Sequence, residues 1–274
     1  MKEAHENEWK NPNQLVGAMR CTSVKHAKDF MEKGQIKFST PRDWEQYAIK
    51  GRGDVYEGTK AFASMYDLEH ILELDAKYPD TERITYKDRT LFKYSRSMGL
   101  PCLCMYGLNI GSFTTPTKEG KRRVETKIPA AYFDDFVDHK SKAEIDAMKE
   151  EDKPAIFIIN NFQEFRKYLV DKLVSIGCKE SEIETSYIRY CDYEKYGKNG
   201  WMEFTCPQPN ELFIKSDRFA NQNELRIVIN TDNKAVMDIL KQPIELGNME
   251  EIAVLSEKYY EEGIRVEMTI DAKL

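Results

Sequence analysis

Residues 216–230 read SDRFANQNELRIVIN, a polar stretch that leads directly into a strand-like run. In this run apolar residues alternate with others in the order Glu224, Leu225, Arg226, Ile227, Val228, Ile229. A period of two is typical of a β-strand that buries one face. The stretch therefore predicts a strand late in the chain, preceded by a polar loop.

Gln222 and Glu224 stand two residues apart where this strand begins. At that spacing both side chains are expected on the same side of the strand. Such a Gln-x-Glu pair can hold a sugar hydroxyl and stabilise a developing cation. A solvated start of the strand explains the same two residues, and both interpretations stay open here.

Outward from this stretch, strand-like runs outnumber helical ones. Strands are expected at 15–22, 35–40, 59–65, 100–108, 124–128, 154–160, 184–193, 211–215 and 264–270. Helices are expected at 24–33, 41–48 and 162–176, with Ser23, Thr40 and Asn161 as their N-terminal caps and with Gly34 ending the first. This order predicts an α+β fold, with a mostly antiparallel, mixed sheet core flanked by short helices.

One domain is expected over 15–274, with a charged insert near 138–153 and a mobile lead-in over 1–14. The chain has 274 residues, of which 41% are hydrophobic and 32% charged, as in ordinary soluble domains. Neither a membrane span nor a secretory signal is predicted. The six cysteines lack zinc-site spacing, so no metal is expected, and a cytoplasmic protein with reduced cysteines is predicted.

Missing sequence motifs argue against several enzyme classes. There is no GxxxxGK[ST] loop, no GxGxxG after a first strand, no GxSxG elbow and no kinase motif set. The net charge of −6 also argues against a protein that coats nucleic acid. One basic cluster remains at 118–127, with Lys121, Arg122 and Arg123, and it is either a charged hairpin tip or a phosphate-contacting patch.

A glycine-rich loop, KGRGDVYEG at 50–58, carries a second pair of carboxylates, Asp54 and Glu57. Loops of this composition often carry binding groups on a rigid scaffold. A turn held by local ion pairs is the alternative.

Three islands of sequence together resemble the arginine–serine–glutamate class of ADP-ribosyltransferases. They are Arg20 at the predicted end of the first strand, Ser39-Thr40 at the predicted end of the second, and Gln222-x-Glu224. The resemblance implies that Arg20, Ser39 and Thr40 bind NAD, which is the substrate. It also implies that Glu224 stabilises the oxocarbenium-like ribose as nicotinamide leaves, while Gln222 contacts the target.

A second resemblance covers more of the chain. The pattern Gly34-x-Ile-x-Phe-Ser39, then Asp54-x-x-Glu57-Gly58, then Gln222-x-Glu224-x-Arg226 is similar to uncharacterised bacterial and phage families, many of which sit near defence or toxin genes. It singles out Asp54, Glu57, Glu224 and Arg226.

The first hypothesis is therefore an NAD-dependent ADP-ribosyltransferase-like glycosyltransferase, a toxin or antiviral defence effector. It would modify RNA, DNA or protein, with Lys121, Arg122 and Arg123 as substrate contacts and with an antitoxin or other neutralising partner. The second is a nuclease or other hydrolase that binds Mg²⁺ through Asp54, Glu57 and Glu224. The third is a non-catalytic binding or assembly module in which Glu224 and Arg226 form a structural pair.

Overall fold

The structure is a computed structural model. It describes residues 15–48, 53–109, 111, 117–118, 121–130, 132–133, 137, 140–197, 200–256 and 263–270. The predicted lead-in over 1–14 lies outside these residues.

The described elements carry labels in chain order. The α-helices are α1 Val24–Lys33, α2 Pro41–Ala48, α3 Leu68–Lys77, α4 Ser95–Met98, α5 Lys142–Asp146, α6 Phe162–Ser175, α7 Tyr193–Tyr196 and α8 Lys234–Leu240. The strands are β1 Leu15–Ser23, β2 Gln35–Ile36, β3 Thr59–Ser64, β4 Thr81–Tyr86, β5 Arg89–Tyr94, β6 Cys102–Asn109, β7 Thr117–Lys118, β8 Lys121–Ile128, β9 Pro154–Ile159, β10 Ile183–Tyr187, β11 Arg189–Cys191, β12 Trp201–Glu203, β13 Ile214–Ser216, β14 Glu224–Ile229, β15 Ile244–Glu245, β16 Ala253–Ser256 and β17 Ile264–Ile270. Short 3₁₀ helices cover Glu150–Asp152, Glu180–Glu182, Asn210–Phe213 and Asp217–Gln222.

The fold is α+β with mostly antiparallel strand pairing, which confirms the predicted class. Its backbone contacts divide the chain into two compact units. Unit 1 comprises Met1–Ile36, Met105–Lys172 and Ile244–Leu274, and unit 2 comprises Lys37–Cys104 and Leu173–Pro243. Among the described residues, no helix is long and apolar enough to cross a lipid bilayer.

In unit 1, β1 lies between β6 and β9, and β16 pairs with the other edge of β9, all antiparallel. Helix α1 begins at Ser23, whose side chain caps the His26 N–H, and ends at Gly34 in the left-handed conformation, as predicted. Its Phe30 ring stacks on Phe157 of β9 at 3.9 Å between centroids, so α1 is fixed on the sheet by an aromatic contact.

The basic cluster also belongs to unit 1. Strands β7 and β8 pair antiparallel with Lys118 opposite Lys121, so the cluster is part of a hairpin, and its role as a phosphate-contacting patch stays a prediction. β17 pairs along the other edge of β8. The side chains of Lys121, Arg122 and Arg123 lie outside the described residues. In the predicted charged insert, α5 starts with a capping box between Ser141 and Glu144.

In unit 2, β12, β3, β5 and β4 form an antiparallel sheet in that order, and β10 pairs antiparallel with β14. Helix α3 packs through Ile71 and Leu74 against Ala61 and Ala63 of β3 and Phe92 of β5. β11 and β13 form a parallel pair.

Three boundary predictions were wrong. The first strand continues to Ser23, so Arg20 lies within it and opposite Phe157. The strand expected at 35–40 has only two residues, and Ser39 forms an isolated bridge to Cys102. The strand expected at 211–215 begins only at Ile214, because Asn210–Phe213 is a 3₁₀ helix.

Candidate functional site

The start of β14 is buried rather than solvated. All six residues of Glu224–Ile229 are buried, and Glu224 and Arg226 are only 5% and 1% exposed. The predictions of one solvated face and of a solvated strand start are therefore wrong. Charged side chains are almost never buried this completely unless they are paired, so the partners of these two residues define the site.

Arg226 is the centre of the charge cluster. Its Nε and Nη2 donate to Glu224 Oε1 at 2.9 and 2.5 Å. Its Nη2 also contacts Glu57 Oε1, and its Nη1 donates to the carbonyl of Leu212. The guanidinium thus joins the loop before β3, the 3₁₀ helix of Leu212, and β14.

Lys215 completes the cluster from β13. Its Nζ donates to Gln222 Oε1 at 2.8 Å and to Glu224 Oε2 at 2.9 Å. Between the two acceptors, Asn223 adopts the left-handed conformation with φ 36°. Gln222 and Glu224 therefore do face one group, as their spacing predicted, although Gln222 lies in a 3₁₀ helix and not in the strand.

The electrostatics favour the charged forms of Glu224 and Lys215. Burial alone would raise the pKa of the Glu224 carboxyl, but Arg226 and Lys215 hold it well below its ordinary value. Burial likewise lowers the pKa of the Lys215 ammonium, and Glu224 and Glu57 more than reverse this effect. Glu57, Glu224, Lys215 and Arg226 form a buried group of two anions and two cations, called here the charge quartet.

Asp54 builds the turn that presents Glu57. One of its carboxylate oxygens accepts from the Tyr56 N–H at 3.0 Å and the other from the Ser216 N–H at 2.6 Å. Gly58 follows with φ +72°, and a Cβ there would lie 2.8 Å from the sulfur of Met98. Asp54 and Glu57 are therefore not held by local ion pairs alone, because their carboxylates bind distant parts of unit 2.

This arrangement does not suit the proposed Mg²⁺ site. Glu57 and Glu224 both contact the Arg226 guanidinium, and Asp54 directs its oxygens at backbone N–H groups. Over the described ranges, no group of three or more His, Cys, Asp or Glu residues could hold a metal ion. The Arg226 guanidinium occupies the position between Glu57 and Glu224 that a bridging metal ion would need.

Ser39 and Thr40 line a pocket in unit 2. The pocket has a volume of about 430 Å³, within the usual range for small-ligand sites. It is lined by Lys37, Phe38, Ser39, Thr40, Asp43, Trp44, Gly99, Pro101, Met237, Leu240 and Lys241. We call it the Trp44 pocket.

One wall of the Trp44 pocket is the first turn of α2. The Thr40 N–H and hydroxyl donate to Asp43 Oδ2 at 2.8 and 2.9 Å, and the Asp43 N–H donates back to Thr40 Oγ1 at 3.2 Å. Thr40 therefore caps α2, as the sequence predicted. Asp43 supplies a carboxylate to the pocket lining, which Glu224 does not.

The indole of Trp44 connects this pocket to the charge quartet. Arg226 Cζ lies 4.9 Å from the centre of the Trp44 ring, at the distance of a cation–π contact. Ser39-Thr40 and Gln222-x-Glu224, which are far apart in the chain, are thereby joined within unit 2 through Trp44 and Arg226. Arg20 belongs to unit 1, and its predicted contact with NAD stays a prediction.

Lys215, Asp43 and Trp44 were missed as site residues. Lys215 ends the apolar run ELFIK, and a lysine in that position looks like an ordinary strand terminus. Asp43 and Trp44 belong to a short helix whose capping pattern could be recognised in the sequence. The residues that pack beside this helix in space could not be recognised. No family model, curated protein or solved structure matches the chain.

Proposed function

We propose that this protein binds NAD in the Trp44 pocket and transfers its ADP-ribose group to a macromolecule. The observation that carries the proposal is the composition of the pocket. An indole offers a stacking surface for a base, Lys37 and Lys241 offer cations for a pyrophosphate, and Ser39 offers a hydroxyl for a ribose.

The chemistry needs an anion beside the ribose. Cleaving the N-glycosidic bond builds positive charge on the ribose, and a fixed carboxylate stabilises that transition state more than the ground state. Among the residues that line the Trp44 pocket, Asp43 supplies this carboxylate. Arg226 supports the wall through its contact with Trp44, and Glu224 binds Arg226 in turn. A direct action of Glu224 on the ribose, as the resemblance implies, is the alternative.

The resemblance to families near defence and toxin genes supports an effector role, with RNA, DNA or protein as the acceptor. The proposal places the protein in the cytoplasm, because its six cysteines are all free thiols.

Calorimetric titration with NAD tests the binding step. We expect Lys241→Glu to weaken NAD binding at least tenfold, because it reverses a charge in the pocket. Lys234→Glu, at the opposite end of α8 and outside the lining, should bind like wild type. Absence of NAD binding to the wild type would overturn the proposal.

Release of nicotinamide, measured by chromatography in the presence of cell extract or RNA, tests the transfer step. Asp43→Asn keeps an oxygen for the α2 cap and removes the charge, so it should bind NAD and release little nicotinamide. If Glu224→Gln instead abolishes release and Asp43→Asn does not, Glu224 is the acting anion. Binding without release from the wild type would leave a binding module and refute the transferase.

A further inference from the structure

Helix α3 carries apolar side chains on the side that faces away from its sheet. Leu68 and Leu72 are 70% and 65% exposed, although they belong to the same helix as the buried Ile71 and Leu74. At 100° per residue, Leu68, Leu72 and Ala76 form one ridge along the helix. Exposed leucines at this spacing are unusual for a surface helix and typical of an interaction site.

Two acidic side chains run beside this ridge. Glu69 and Glu73 are both exposed and lie one helical position further round. Beyond them His70 stacks on Trp201 of β12 at 5.3 Å, and the Trp201 side chain is 40% exposed. The surface therefore consists of an apolar ridge, an acidic stripe and an indole.

The acids of the stripe differ from their neighbours in lacking a cation. Asp67 pairs with His70, Asp75 with Arg83, and Lys77 with Glu203. Within the described part of the chain, Glu69 and Glu73 have no cationic partner within salt-bridge distance. The unpaired negative charge is thus confined to the side of α3 that carries the leucines.

We propose that this surface of α3 docks an amphipathic helix of a partner protein that carries apolar residues on one face and Lys or Arg beside them. Apolar ridges at i, i+4 spacing are the usual contact of helix-to-helix recognition, and charge complementarity sets the partner and its orientation. A second copy of the chain fits less well, because two acidic stripes would face each other.

The test uses two synthetic helical peptides of roughly 18 residues, a length at which a helix can form. The basic peptide has leucines at i, i+4 spacing with arginines beside them, and the acidic peptide has glutamates in place of the arginines. Binding to the full chain is measured by fluorescence anisotropy, and the contact is located by NMR chemical-shift changes.

We expect the basic peptide to bind and to shift the resonances of α3. The double variant Leu68→Ser/Leu72→Ser should lose at least tenfold in affinity, and Glu69→Lys/Glu73→Lys should prefer the acidic peptide. Val174→Ser, which changes another exposed apolar side chain, is the matched control and should bind like wild type.

Four results would overturn the proposal. They are no binding of the basic peptide, equal binding of both peptides, shifts confined to other elements, and unchanged affinity in Leu68→Ser/Leu72→Ser. A dimer of the full chain that Leu72→Ser dissociates would assign the surface to a second copy instead. Sedimentation with anionic vesicles that depends on the same leucines would assign it to a membrane.

Discussion

Arg226 lies against the indole of Trp44, with its Cζ 4.9 Å from the ring centre. Trp44 also lines the Trp44 pocket, while Arg226 is bound to two buried carboxylates. A single cation–π contact therefore connects the buried charge quartet to the wall of the Trp44 pocket.

Replacing Arg226 with methionine should strongly destabilise the fold. The substitution leaves the Glu57 and Glu224 carboxylates buried without their guanidinium, and breaking a buried pair in this way costs about 3–5 kcal/mol. Urea unfolding measures the free energy.

Arg83→Met provides the control, because Arg83 pairs with Asp75 at the surface and such pairs contribute about 0–1 kcal/mol. If both variants lose the same small amount, the charge quartet does not stabilise the fold.

Glu224 should give the protein an acid-sensitive stability. Its folded-state pKa lies below the unfolded value of about 4.3, so its contribution is present above that pH and is lost as the pH falls below it. Glu224→Gln should therefore be less stable than wild type at pH 7, and the difference should shrink below about pH 4. Chemical unfolding at a series of pH values measures this, and parallel curves for the two proteins would contradict it.

Glu211 should make the fold less stable as the pH rises, which is opposite to the effect of Glu224. Burial raises the pKa of this fully buried carboxyl, with Ser97 and Lys60 opposing, and neither oxygen accepts a well-aligned hydrogen bond. A carboxyl with a raised folded-state pKa stabilises the fold least at high pH, because the unfolded chain releases its proton first.

We therefore expect Glu211→Gln to gain stability relative to wild type as the pH rises above the unfolded carboxyl pKa of about 4.3. Glu245→Gln, at an exposed carboxyl, serves as the control for the substitution itself. A constant difference between Glu211→Gln and wild type across this range would show that the carboxyl is not held neutral.

Gly34→Ala should destabilise unit 1. Gly34 has φ +62°, and a Cβ there would lie 2.5 Å from the carbonyl oxygen of Gly247. The left-handed conformation alone costs a non-glycine residue about 1–2 kcal/mol, and the clash adds to it. Thermal unfolding should show a clear loss, whereas Gly99→Ala, where a Cβ has room, should stay close to wild type. Equal melting temperatures would refute this account of the α1 terminus.

Local signals in the chain predicted several elements well. Ser23 and Gly34 bound α1, Thr40 caps α2, and Asn161 caps Glu164 at the start of α6. In each case the deciding atoms lie within a few residues of each other, so cap chemistry and apolar spacing were sufficient. The same signals failed at Asn210–Phe213, because an apolar run of that length suits a strand and a buried 3₁₀ helix equally.

For SDRFANQNELRIVIN, the sequence alone determined that a strand follows Asn223 and that Gln222 and Glu224 face one group. Only the tertiary structure decided what that group is and that both faces of the strand are buried. Lys215, Glu57 and Trp44 come from other elements, and their meeting at Arg226 depends on how the chain folds back on itself. A buried charge is stable only when opposite charges from elsewhere reach it, and no local pattern in the sequence encodes that meeting.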